Sequence, residues 1–464
     1  MVLVGMSPPL AKPEDPEAEW RFPSFGMRRI EASIKADPDL AGLELATFEL
    51  AMLEGEELAE LLLAERPDFI GASAYIWSFP NLLEMARLVR ARDPGCAIVF
   101  GGPSAEPPMC SLPMHSDSIR VLDALVTGEG EIAIREILAG GDVEPERLRT
   151  IPGLALPGPF GWRKTAARPL NERLDELPSP AAMGLLPKRQ VAYLETFRGC
   201  PLSCSFCEWG VMGAGTFFSQ EYLERELTAL AALEPFTTYL LDAALNLNKK
   251  AFRNFAAAEE KIRFFAGSSI IALLYPSLLA DEHYRFLEGI GSLYLSVGLQ
   301  SFDEDVLSGV DRRLKSAQFD RTIAELGQLP NVRSLSIELI LGLPTDSPAR
   351  FRASLERALD VGCGIRVYRC LVLPNGLMTR APVEQAVRFD ERSLLLTSSA
   401  GWSEADLRAA DEFLTALAAT RRGGYAGDYW WYFPPGTGSA SMATIERESR
   451  TSLATSSVAA STFV

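Results

Sequence analysis

The chain has 464 residues, 47% hydrophobic and 23% charged, too long for one ordinary domain and ample for sizeable cores. Acids outnumber bases to give a formal charge of −16, which argues against a nucleic-acid partner, because neutralising many phosphates needs a basic face. No apolar run reaches the length of a membrane span, and the start MVLVGMSPPLAKPEDPE is not a cationic, cleavable signal, so a cytoplasmic location away from membranes is expected.

Residues 1–140 alternate strand and helix patterns, the signature of a Rossmann-like, doubly wound parallel sheet. Val2–Gly5, Leu43–Phe48, Phe69–Ala74, Ala97–Phe100 and Asp123–Val126 read as strands. Glu56–Arg66 reads as a helix, and Leu82, Met85, Ala86 and Val89 repeat at i, i+3, i+4, i+7, one apolar helix stripe. Loops after such strands are where these sheets bind ligands. Ser73, Gly101, Gly102, Ser104, Gly128 and Gly130 would let backbone approach a flat or phosphate-bearing ligand there. Any one glycine is better explained by a tight turn; the set is more telling.

Residues 141–187 turn rich in Pro, Gly and Arg and predict a surface linker, with Trp162 either an anchor or a substrate contact. After the strand-like Val191–Thr196 come Cys200, Cys204 and Cys207 at CxxxCxxC spacing. One tight loop can aim three thiolates at a single inorganic cluster, and three ligands on a four-iron cube leave one iron open for chemistry. Three clustered cysteines do not pair evenly as disulfides. A zinc site would want a fourth ligand, and neither His115 nor His283 is close in sequence. A zinc-binding interaction module or a plain iron–sulfur electron carrier stands as the non-enzymatic alternative.

With Phe206 before its last cysteine, this loop resembles the hallmark of the radical S-adenosylmethionine enzymes. The resemblance implies a [4Fe–4S] cluster on Cys200, Cys204 and Cys207, whose open iron chelates the amino and carboxylate groups of S-adenosylmethionine. The order PDFIGAS…FGGPSA…VTGEGE resembles the cobalamin-binding domain that precedes many such cores, which assigns the six small residues above to cobalamin. The DxHxxG motif of cobalt-coordinating domains is absent. Cobalamin is therefore expected without a protein imidazole below the cobalt; the alternative is a domain that has kept its shape and lost the cofactor.

Six strand candidates begin near Val191, Thr238, Ile262, Leu293, Ser334 and Arg366; their spacing of roughly 25–45 residues predicts repeated βα units. Six units are too few for a closed eight-stranded barrel, and the resemblance implies a partial (β/α)6 barrel over 188–385 with chemistry at the strands' C-terminal ends. A helix is expected from Ser219 to Leu233. For S-adenosylmethionine the resemblance implies Phe206, Asp242 toward the ammonium, Asn246, Gln300 and Ser301 toward the ribose or carboxylate, and Gly342 and Pro344 of ELILGLP against the adenine. A helix N-cap is the plainer reading of Asp242. Glu208, Asp242 and Cys370, a thiol on the last strand, are the catalytic candidates; Cys96, Cys110, Cys363 and Cys370 show no metal spacing, and Cys96, Cys363 and Cys370 are most simply small buried hydrophobes.

Residues 386–464 change character: a helix over Trp402–Ala418 capped by Ser403, then GGYAGDYWWYFPPGTGSAS as a lid or as a tail packed on the barrel's open edge, then twenty mobile residues. The combination implies methylation of an unactivated carbon on a small-molecule or peptide substrate, such as a natural-product intermediate. Electrons would come from a flavodoxin- or ferredoxin-type partner. Radical ring formation or rearrangement, or transfer of the aminocarboxypropyl fragment without functional cobalamin, is the alternative on the same fold.

Overall fold

The computed structural model describes residues 1–7, 24–213, 215–313, 316–420, 422–425 and 429–433; the mobile last twenty residues expected from sequence lie outside them. The N-terminal part runs β1 (Val2–Met6), α1 (Phe25–Lys35), β2 (Ala46–Leu50), α2 (Gly55–Ala64), β3 (Phe69–Ser73), α3 (Phe79–Arg92), β4 (Ala97–Gly101), α4 (Pro107–Cys110), α5 (Ser118–Val121), β5 (Ala124–Val126) and α6 (Gly130–Ala139). The five strands are parallel in the order β2-β1-β3-β4-β5. Side chains alternate between two faces, and both faces are covered. Val4, Ala72, Phe100 and Leu125 pack with α2 and α3 through Leu58, Leu62, Leu82 and Val89, whereas Leu3, Val99 and Val126 pack with α1 and α6 through Met27, Ile34, Ala133 and Ile137. Two buried faces explain strands with no polar alternation.

The expected linker proves partly structured. After α7 (Pro145–Leu148), β6 (Leu154–Leu156) and β7 (Arg163–Lys164) extend the same sheet antiparallel beyond β5. Leu154, Ala155 and Leu156 are buried there, because an apolar Leu-Ala-Leu run finds the open edge of β5. Trp162 packs against the core on the α2–α3 side, which makes it an anchor.

The second sheet is built from β8 (Val191–Leu194), then a small hairpin of β9 (Phe197–Arg198) and β10 (Thr216–Phe217), α8 (Gln220–Ala231), β11 (Thr237–Leu240), α9 (Lys249–Ile262), β12 (Ser269–Leu274), α10 (Asp281–Glu288), β13 (Ser292–Gln300), α11 (Glu304–Ser308), α12 (Ser316–Gly327), β14 (Val332–Leu341), α13 (Pro348–Asp360) and β15 (Gly364–Arg369). β8 and β11 to β15 form six parallel neighbours, the expected partial barrel. One strand start was misplaced. Ile262 ends α9, whose buried stripe is Ala251, Phe252, Phe255 and Ala258; Arg263 then turns left-handed at φ 56°, and the strand begins at Ser269. The Ile262–Phe265 run is apolar enough to imitate a strand. Along β13 and β14, Leu293, Leu295, Val297, Leu299, Ile337, Leu339 and Leu341 pack outward under the helices. Ser296, Gly298, Gln300, Ser336 and Glu338 alternate with them and face the interior.

The barrel's two edges are covered differently. At one, α1 leans on β8 and α8: Phe25 lies 6.0 Å from Tyr193, and buried Arg29 donates to the Tyr222 hydroxyl at 2.7 Å. At the other, after α14 (Leu377–Arg380), β16 (Arg388–Phe389), β17 (Leu396–Ser398) and α15 (Glu404–Thr420), the hairpin of β18 (Arg422–Tyr425) and β19 (Tyr429–Phe433) pairs antiparallel with β15. Ser403 and Asp406 cap α15 reciprocally. The described part of the aromatic segment is thus a tail packed on the open edge. Trp430 and Tyr432 are fully buried against α15, with the Trp430 indole N–H donating to Thr415 at 3.0 Å. Trp430→Ala is expected to cost about 3–5 kcal/mol of unfolding free energy, measured by urea titration, because a large ring leaves a cavity between β19 and α15.

Candidate functional site

The three cysteines sit inside the β9–β10 hairpin, at the C-terminal end of β8. Gly199 opens the loop at φ 89°, and any Cβ there would stand 2.7 Å from the Gly213 carbonyl, so only glycine lets the two arms close. Cys200 N–H donates to that carbonyl at 2.8 Å. Cys200 and Cys204 are buried and Cys207 half-buried. Burial pushes the Cys207 thiol up to about 11, a bias that a bound metal reverses by holding the thiolate. Among the described residues no three ligating side chains close on one ion. A cube does not ask them to, since each thiolate takes a different iron.

Two arginines outside the motif hold this loop. Arg380 donates to the carbonyls of Cys204 and Cys207. Arg312 donates to Cys204 Sγ at 3.7 Å and to the Gly298 carbonyl, and its guanidinium lies 5.3 Å over the Tyr275 ring. Sequence reading missed both, because neither stands at an interval from the cysteines that any spacing rule marks. Ser205 N–H to Val310 O at 3.1 Å ties the loop to the same segment as Arg312. Phe206 is packed under Gly376, whose Cβ would meet the Phe206 carbonyl at 3.2 Å.

The expected S-adenosylmethionine residues separate into two groups. Gln300 ends β13 with φ 77°, a left-handed conformation at a strand end that faces the interior. Glu338 lies beside it; burial raises its carboxyl, and Arg366 together with the Ser296 hydroxyl opposes the rise. Gly342, at φ 93°, follows β14 close to Leu407 and Leu396, and Pro344 is buried two residues on. The other group is already engaged with the chain itself. Asp242 accepts from Thr196 N–H at 2.8 Å, Phe197 N–H at 3.3 Å and the Thr196 hydroxyl, so it splices β11 to the end of β8; the cap of α9 is Asn248, not Asp242. Asn246 pairs both amide groups with the Tyr275 backbone at 2.8 and 2.9 Å. Ser301 bonds Ser354 at 3.1 Å.

Glu208 accepts from Asn375 N–H at 2.8 Å, and burial raises its carboxyl. Cys370 is enclosed by Val306, Val310, Leu343 and Val372, and burial alone pushes it up to about 12, so it is the small buried hydrophobe of its simpler reading and not a cleft thiol.

Between the two sheets lies a cavity of about 660 Å³. One wall is the set of loops after β3, β4 and β5, including Ser73, Gly101, Gly102, Gly128 and Gly130; the other is the cysteine-loop side, with Arg198, Gly199, Glu208, Trp209 and Asn375. Gly102, at φ 95°, lies against Ala74, where a Cβ would stand 2.8 Å from the carbonyl. At Gly128, φ 90°, a Cβ would meet nothing within 4 Å and would project into open space, as a cradle for a large flat ligand requires. Ser104 is not on this wall; it is buried behind it, its hydroxyl without a partner. Tyr75 and Trp77 stack at 4.6 Å on the rim, and no histidine lines the cavity. His115 is buried elsewhere against Phe79 at 4.8 Å. The residues fit an imidazole-free cobalamin.

A doubly wound sheet whose glycine loops face a three-cysteine loop on a partial barrel defines a two-cofactor class of enzyme. The B12 binding domain model matches residues 22–138 and the radical SAM superfamily model residues 194–374. The chain carries a B12-binding domain and a radical SAM domain and is homologous to cobalamin-dependent radical SAM methyltransferases. It is 30% identical over 330 residues to 2-(S-pantetheinyl)-carbapenam-3-carboxylate methyltransferase of Streptantibioticus cattleyicolor, covering 67% of this chain and 47% of that one. It is likewise 30% identical over 345 residues to the cobalamin-dependent radical SAM methyltransferase TokK of Streptomyces tokunonensis, covering 69% and 49%. The chain thus spans about half the length of these curated relatives. The solved structure of the radical S-adenosylmethionine methyltransferase TsrM from Kitasatospora setae superposes with a TM-score of 0.61 at 16% identity, over 81% of this chain and 75% of that one, which shows the shared fold.

Burial raises the Asp242 carboxyl from the ordinary aspartate value to about 7, against the pull of its three donors. Its contribution to stability is therefore present in acid and lost as pH climbs through about 7. Asn at this position keeps the shape without the titration. Urea midpoints taken at about pH 5 and about pH 8 should fall further apart in the native protein than in Asp242→Asn.

Proposed function

We propose that this chain methylates an unactivated carbon of a small-molecule, natural-product substrate, using a [4Fe–4S] cluster, S-adenosylmethionine and cobalamin. One observation carries the reading: the glycine cradle and the cysteine loop share a single cavity. When bound, the cofactors supply one-electron chemistry and methyl delivery to a carbon that lacks a lone pair. The protein's share is holding, orienting and excluding water. Cys200, Cys204 and Cys207 would hold the cluster, and the loops at Ser73, Gly101, Gly102, Gly128 and Gly130 the cobalamin. Gln300, Glu338 and Gly342 stand at the interior strand ends where a nucleoside would lie.

Arg312, poised beside Cys204 and fixed over Tyr275, is the cation placed to meet the carboxylate of S-adenosylmethionine. Arg312→Met is expected to weaken S-adenosylmethionine binding about 10–100-fold with iron content unchanged, read by titrating the reduced cluster's EPR signal. Asp242, Asn246 and Ser301 act on this view as supports for the strand ends. Glu208, a half-buried carboxylate on the cavity wall, remains the candidate acid or base. Trp77 donates its indole N–H to Met6 O at 3.1 Å and with Tyr75 offers an aromatic face to the cavity in place of an imidazole.

No helix among the described residues is long and apolar enough to cross a membrane. The reading places the protein in the cytoplasm with a flavodoxin- or ferredoxin-type reductant. Anaerobic incubation with reductant, cobalamin, methyl-labelled S-adenosylmethionine and a carbapenam carboxylate bearing a pantetheinyl thioether is the first trial, chosen from the homologue's substrate. Label in the product with S-adenosylhomocysteine as coproduct is expected. Product formation with 5′-deoxyadenosine alone and no transferred label would move the assignment to radical rearrangement.

A further inference from the structure

Where the glycine cradle meets the cysteine loop, the contact is made by buried charge. Arg198, directly before Gly199 and Cys200, has a side chain only 10% exposed, and three of its nitrogens each reach a different carboxylate. Nη1 donates to Glu129 at 2.8 Å, Nη2 to Glu131 at 2.6 Å and Nε to Glu195 at 3.1 Å. Glu129 and Glu131 flank Gly130 where the loop that carries Gly128 enters α6, and they belong to the N-terminal part. Glu195 belongs to the barrel, one residue beyond β8. Arg29 of α1 approaches Glu195 from the N-terminal side at 3.5 Å, so the seam holds charge of both signs from both parts.

A buried ion cluster of this kind is a poor source of net stability, because desolvation consumes most of the attraction. What it does supply is geometry: a planar fork satisfied on three sides admits one arrangement, and a lysine has no equivalent. Arg198, Glu129 and Glu131 all line the cavity, so groups seated against the cradle and groups held by Cys200 stand at a separation set by this guanidinium. We propose that Arg198 is a positioning residue that clamps the glycine cradle to the cysteine loop and so sets the distance between the two cofactors. The cofactor half of this statement rests on the cobalamin reading above; the clamp itself does not.

The experiment compares the full-length protein with Arg198→Met, Arg198→Lys and Glu129→Gln. In cobalamin-free protein, Arg198→Met is expected to speed hydrogen exchange in residues 127–133 and 198–207 together while the remaining barrel strands are unchanged. With cofactors loaded, iron content should persist, cobalamin affinity should fall about tenfold or more, and the magnetic interaction between cob(II)alamin and the reduced cluster in EPR should weaken. Arg198→Lys should fall between the two. Unchanged exchange in 127–133, or a rise spread evenly over the whole chain, overturns the clamp and leaves Arg198 a general stabiliser. Unchanged affinity and magnetic interaction overturn its positioning role. Failure of the native protein to bind any cobalamin would instead sink the proposed function, and the clamp would be decided by exchange alone. If Arg198→Met does not fold, Glu129→Gln carries the same comparison, with faster exchange expected in 127–133.

Discussion

A parallel sheet gathers its ligand-binding loops at the carboxyl ends of its strands, and this chain sets two such sheets so that those ends share one gap. Everything else serves that opposition. The seam cannot be sealed by apolar side chains alone, since loop backbone brings amides and carbonyls that need partners. Charge fills it instead: Arg198 and Arg29 face Glu129, Glu131 and Glu195. Such a seam gains little net energy, because desolvation offsets most of the attraction, while the planar fork of Arg198 restricts how the two parts can meet.

The barrel solves a second problem, that six parallel strands leave two open edges. Each edge is covered by a segment far away in sequence. On one side α1 brings Phe25 against Tyr193, and on the other β19 adds an antiparallel strand whose Trp430 and Tyr432 are anchored on α15. Closing both edges lets the interior keep polar side chains such as Ser296, Ser336 and Glu338, which an open barrel would expose to water. Partial burial strengthens the attraction between Arg366 and Glu338.

Residues at strand ends divide into those that build the ends and those that look into the site. Asp242 and Asn246 spend their hydrogen-bonding capacity on neighbouring backbone, which is how short parallel strands finish in register. Gln300 and Glu338 do not, and Gln300 carries a backbone conformation that non-glycine residues seldom adopt. A left-handed Gln300 beside a buried carboxylate is the kind of strained, polar strand end at which ligands bind. That TsrM shares this architecture at 16% identity follows from the same physics, because alternation and loop position specify the frame and side-chain identity specifies the occupant.

Local features were legible from the chain alone. The doubly wound sheet, the six βα units, the α15 cap at Ser403 and the three-cysteine loop each depend on residues within a few positions of one another, so spacing and period suffice to read them. The antiparallel strands β6 and β7 were not legible, because a three-residue and a two-residue strand carry no period. Ile262 was misread as a strand start because Ile262, Phe264 and Phe265 are apolar over too short a stretch to show a helical period. Arg312 and Arg380, the enclosure of Cys370, the turning of Asp242 toward Thr196 and the clamp of Arg198 on Glu129 and Glu131 could be decided only by the tertiary structure. Each pairs groups tens of residues or more apart, and which distant carboxylate or sulfur a side chain meets is set by how the sheets pack, a relation that no interval along the chain encodes.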